Sequence, residues 1–177
     1  MQTFLRAGLL VAPLLLSSAC GLFTEPVDRA ITLSVDQLRY APALLCGTGN
    51  DRRFAFSVVA RFANGSRDTV YLARCFPSSP GPIFGVAMER TTRASAFDGA
   101  WACVGHDQQH AIAPNTVRTD TLRLFGPGAR SGVTGEILGE LSGRMFLSYE
   151  VQRCRGDGAC RLPGAARSSV FVVESMP

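Results

Sequence analysis

Residues 54 to 62, FAFSVVARF, place Phe54, Phe56, Val58, Ala60 and Phe62 two positions apart, with Ser57 and Arg61 among the positions between them. A period of two puts one face of an extended strand in the core and the other in water, and no helix can serve such a row. The same alternation recurs. Ile31, Leu33 and Val35 alternate with Thr32 and Ser34, and Val70 and Leu72 continue the pattern further on. In the segment from Arg144, Met145, Leu147, Tyr149 and Val151 share one face, while Arg144, Ser148 and Glu150 point outward.

Turn signals separate these rows. Asn64-Gly65 between residues 54–62 and 68–75 predicts a hairpin joining two arms. Further strand-like segments cover residues 83–89, 100–104, 116–125, 144–152 and 169–173, punctuated by PSSPGP (77–82), GPG (126–128) and LPG (162–164). About eight strands with no helical crossovers predict an all-β fold, an antiparallel immunoglobulin-like β-sandwich. GEILGEL, residues 135 to 141, holds Ile137, Leu138 and Leu141 at helical spacing and predicts a short helical connector, with Glu136 and Glu140 on its solvated face. No fixed-period repeat is present, and residues 30–177 read as one domain.

The front of the chain carries an address. Residues 1–19 hold one charge, Arg6, then an uncharged run from Ala7 to Leu16, then Ser17, Ser18 and Ala19. These are the three regions of a secretory signal peptide. An apolar core of about ten residues makes roughly 15 Å of helix against about 30 Å of hydrocarbon, too short to span. The stretch LLLSSACGL, residues 14 to 22, resembles a bacterial lipobox, which implies that Cys20 is acylated and becomes the new N-terminus. Leu16 stands four residues before Cys20, with Ser17 in the usual aliphatic place. The lipobox reading implies a lipid-anchored protein of the bacterial cell envelope. Without Asp at position 21, the outer membrane is the expected address, and plain secretion or a soluble periplasmic protein is the alternative. Residues 20–29 then form a tether.

Removing 19 of the 177 residues leaves 158, enough for one core. Losing Arg6 lowers the formal charge from +4 to +3. Every basic residue is Arg, and acidic residues are interleaved among them, which is no footprint for nucleic acid. Export favours oxidised cysteines. With Cys20 lipidated, five remain: Cys46, Cys75, Cys103, Cys154 and Cys160. The preferred disulfides are Cys154 with Cys160, strapping a short loop, and Cys75 with Cys103 on neighbouring strand-like segments. Cys46 is then a free thiol. If Cys20 is unmodified, a Cys20–Cys46 bridge becomes available.

Three stretches carry a further likeness: FAFSVVARFANGSRDTVYL, IAPNTVRTDTLRL and SGRMFLSYEV. Through them the chain resembles bacterial envelope lipoproteins with an immunoglobulin-like sandwich and, more loosely, the BsuPI-type proteinase-inhibitor domain, over residues 30 to 174. This resemblance implies a non-catalytic binding or scaffolding module, or an envelope protease inhibitor. Trp101 lies two residues before Cys103, and Met145 stands where a corner tyrosine would be expected, so the antibody-type disulfide is not implied.

Chemistry-bearing clusters are few. CVGHDQQH, residues 103 to 110, holds both histidines of the chain beside Cys103 and Asp107. On a turn, His106, Asp107 and His110 form a candidate metal set; on a straight strand the histidines stand about 13 Å apart, too far to share an ion. CRGDGAC, residues 154 to 160, contains Arg155-Gly156-Asp157, which resembles the integrin-binding motif and equally suits a strapped hairpin. Arg153, Arg155, Arg161 and Arg167 make that end basic, a tip for anionic envelope polymers or lipid headgroups. No nucleophile elbow, phosphate-cradling glycine motif or zinc-protease motif occurs, so no enzyme and no cofactor is expected. The expected partners are the membrane, through the N-terminal lipid, and an envelope protein or polymer.

Overall fold

The computed structural model describes residues 30–74, 79–90, 94–97, 109–128, 135–153 and 164–176. The expected signal segment (1–19), the expected tether (20–29) and the expected strand at residues 100–104 lie outside them. The described residues form an all-β sandwich with one core between two sheets.

The first sheet is built on β4 (Arg53–Asn64), which pairs antiparallel along its length with β9 (Val117–Gly128). On the other flank of β4, β1 (Ile31–Val35) and β3 (Ala43–Cys46) lie end to end. A short strand β10 (Glu136–Leu138) joins β9 in parallel. The second sheet is centred on β11 (Gly143–Arg153). One flank of β11 holds β6 (Phe84–Met88) and β5 (Val70–Ala73), and the other holds β13 (Phe171–Val173) and β12 (Gly164–Arg167). Beyond these, β8 (Gln109–Ile112) pairs with β5, β7 (Ala94–Phe97) with β6, and β2 (Arg39–Tyr40) runs parallel to β13.

The alternation read from sequence sets the core. Phe54, Phe56, Val58, Ala60 and Phe62 are buried on β4 and face Met145, Leu147, Tyr149 and Val151 of β11 across the sandwich. Phe62 stacks on Tyr149 with ring centroids 6.1 Å apart, and Tyr40 meets Phe171 edge-on at 5.3 Å. Each such side chain contributes about 1.5–3 kcal/mol by leaving water.

Three expectations are corrected. Residues 54–62 and 68–75 are not the arms of one hairpin: β4 and β5 belong to different sheets. Both flanks of β4 are already taken, by β1 and β3 on one side and β9 on the other, so the chain crosses to the second sheet at Asn64. The Asn64 side chain is buried there as the lock of the crossing. Its Nδ2 donates to the carbonyls of Asp68 (2.9 Å), Ile112 (3.0 Å) and Ala113 (3.1 Å), and its Oδ1 accepts from Ser66 N–H and Oγ–H. The return crossing from β8 to β9 runs beside it, through Pro114 and Asn115, whose φ of 56° suits the third position of a type II turn. Asn115 N–H donates to the Asn64 carbonyl at 2.8 Å.

The second correction concerns residues 135–141, which are not helical. Glu136 to Leu138 form β10, and Glu136 is buried against Arg53 at 2.9 Å instead of lying on a solvated face. Gly135 enters this strand at φ 80°, where an added Cβ would overlap the Arg123 carbonyl. The ladder bond from Phe125 N–H to the Gly135 carbonyl fixes the segment as an edge strand. Third, the sheets are mixed rather than wholly antiparallel, since β10 with β9 and β2 with β13 run parallel, and short strands raise the number among the described residues to thirteen.

Candidate functional site

On β9 the inward positions continue toward its start as Leu124, Leu122, Asp120 and Arg118, so two charged residues occupy sites of core parity. A buried carboxylate is tolerated only with partners. Asp120 has them. Arg118 Nε donates to both carboxylate oxygens at 3.0 Å, and its Nη2 donates to Oδ1 at 2.7 Å. From the opposite sheet, Tyr149 O–H donates to Oδ2 at 3.2 Å. Burial, then the charge and hydrogen bond of Asp120, push the Tyr149 hydroxyl well above its ordinary range, so it remains a donor.

The guanidinium of Arg118 has a second task. Its Nη2 also donates to the Pro80 carbonyl at 2.8 Å, in the segment leading into β6. His110, on β8, stands against the backbone of Gly81, and its Nε2 is buried without a hydrogen-bond partner among the described residues. Pro80 of the PSSPGP segment is thus held from β9, while residues 77 and 78 lie outside the described residues. The His110 imidazole is held below its ordinary value by burial, by Arg118 and by Arg74; the Gly81 contact and Asp120 act upward.

Chemically this arrangement holds a loop. Both oxygens of Asp120 are engaged by charged or phenolic donors, which leaves a poor general base. Among the described residues, no group of three His, Cys, Asp or Glu gathers to hold a metal.

Of the residues singled out from sequence, Cys20, Cys75, Cys103, His106, Asp107, Cys154 and Cys160 lie outside the described residues. Cys46 ends β3 as an exposed free thiol. His110 stands on a strand, with Leu72 as its register partner, rather than on a turn. Sequence reasoning missed Arg118, Asp120 and Tyr149 as a set. The signal was present: Arg118 and Asp120 share the parity of Leu122 and Leu124, and charged residues on a core face call for partners.

No protein-family model matches the chain, and no curated protein matches it. A solved structure, the X-ray structure of Northeast Structural Genomics Consortium target SoR45, is similar at a TM-score of 0.47 with 14% identity, over 84% of this chain and 89% of that one.

Proposed function

We propose that the protein is a lipid-anchored, non-catalytic module of the bacterial envelope, acylated at Cys20, that binds a protein or polymer through its proline-rich 77–82 segment. The observation that carries the binding half is the double engagement of Arg118, which ties the Pro80 carbonyl to a buried carboxylate. A loop held this way loses little conformational entropy on binding. The anchor half rests on the small residues before Cys20 and the short apolar run preceding them. Intact mass spectrometry of protein recovered from membranes tests it: acyl chains on an N-terminal Cys20 are expected, and an unmodified N-terminus there would overturn the anchor.

A second reading is inhibition of an envelope protease, and the held Pro80 carbonyl favours it, because a backbone fixed at that point resists completion of cleavage. Incubation with a panel of serine and cysteine proteases tests this. Slowed cleavage that is lost in Arg118→Ala is the expected result, and no retained complex with any protease removes the reading. Metal binding through residues 103–110 is the weaker alternative, since Arg118 and Arg74 place positive charge around His110.

A further inference from the structure

The outer face of the first sheet carries hydroxyl and guanidinium side chains. Thr32 and Ser34 of β1, Ser57 and Arg61 of β4, and Thr121 and Arg123 of β9 are all exposed on it. The register sets Arg61 opposite Thr119 and Arg123 opposite Ser57, so the two guanidiniums stand diagonally, roughly 14 Å apart along the face. Among the described residues neither takes part in an ion pair; the paired arginines are Arg53, Arg118 and Arg144. No strand residue answers them with a carboxylate. Asp120 and Glu136 point inward, and Asp36, just past β1, is occupied by Val59 N–H and Tyr40 O–H, each at 2.8 Å.

Beside this cationic field the sheet exposes apolar residues. Leu44 is 58% exposed and Leu45 40%, both on β3, and Val117 at the start of β9 is 49% exposed. Leu45, Ala55, Ser57 and Arg123 are among the residues lining a shallow groove of about 250 Å³, while Leu44, the register partner of the inward Phe54, has the opposite parity. We propose that this face lies on an anionic bilayer, with Arg61 and Arg123 on phosphate-bearing headgroups and Leu45 reaching the acyl boundary. An exposed leucine beside these arginines suits that interface, where one layer takes the cations and the next takes the apolar side chain. A soluble anionic polymer would satisfy the arginines and leave the leucine in water. Chain geometry agrees, and this clause rests on the anchored reading above: β1 belongs to this sheet, and the ten residues 20–29 reach at most about 33–36 Å. A lipid on Cys20 therefore keeps the face within reach of the membrane.

A tryptophan reporter tests this in the protein purified from membranes. Thr121→Trp in a Trp101→Phe background puts the probe on the face; Glu150→Trp puts it on the outer face of the other sheet. Vesicles of phosphatidylglycerol with phosphatidylcholine should shift the Thr121→Trp emission to the blue, and phosphatidylcholine alone should not. Arg61→Gln with Arg123→Gln should reduce the contacting population about thirtyfold, and Leu45→Ser should weaken it without touching charge. No shift at Thr121→Trp, an equal shift at Glu150→Trp, or an equal response to dextran sulfate would overturn the proposal. Intact mass measured on the same samples separates the two claims. Acylated protein without a shift removes the face and leaves the anchor, whereas unacylated protein with a shift removes the anchor and leaves the face.

Discussion

Tyr149 on β11 donates a hydrogen bond to Asp120 on β9 across 3.2 Å, joining the two sheets through a buried polar contact. Tyr149→Phe keeps the ring on Phe62 and removes this donor. The expected loss is about 1.5–3 kcal/mol, the range for hydrogen bonds to charged groups. Urea denaturation checks it: the midpoint should fall with no change in slope, since the surface exposed on unfolding is the same.

The environment of His110 makes stability depend on pH. Burial, Arg118 and Arg74 hold its folded value below the ordinary 6.5. The unfolded chain therefore binds the proton first as pH falls, so the contribution is whole above pH 6.5 and declines as pH drops through the folded value. Thermal melts between pH 7.5 and 5 should show wild type losing stability more steeply than His110→Gln. Parallel curves would refute the assignment.

Asn64 fastens two crossings at once, and its loss should be felt by both. Asn64→Ala leaves the buried carbonyl of Ile112 without this donor and frees Ser66, costing about 2–4 kcal/mol. Hydrogen exchange would locate the effect. Faster exchange at Asn115 and Thr116, on the far crossing, is the expected signature, and a change confined to residues 65–69 would contradict the shared lock.

The Arg53–Glu136 pair offers a third kind of test. Arg53→Ala strands a buried carboxylate and should cost roughly 1–3 kcal/mol, moderated by the partial exposure of Arg53. Adding Glu136→Gln to that variant removes the uncompensated charge, so the double variant should regain part of the loss. A double variant worse than Arg53→Ala would show that Glu136 acts through its shape against Gly128 and not its charge.

How far the fold was legible depended on whether a signal was local. The alternating rows of β1, β4 and β11 were read directly because parity is carried within each segment. Asn64-Gly65 announced a reversal but not which sheet would receive the next strand, and that depends on β1 and β9, distant in sequence. Around β10, Ile137 and Leu141 fit a helical spacing, and the ladder to Phe125 decided otherwise. Strands of two to four residues, such as β2 and β12, are too short to show a period. The cluster under Pro80 was hidden for a related reason. Arg118 and Asp120 had a readable parity, but the donor that completes them comes from β11 and the carbonyl they hold from the segment before β6.

The position of β11 bears on the order in which the molecule can be made. It is the common neighbour of β5, β6, β12 and β13, two of them earlier in the chain and two later. Until Gly143–Arg153 has been synthesised, the β5–β8 and β6–β7 pairs have no strand to join them into one sheet opposite the apolar face of β4. Loop closure over such separations is slow, and local contacts do little to advance it. An N-terminal fragment ending before β11 therefore lacks the central strand of its second sheet.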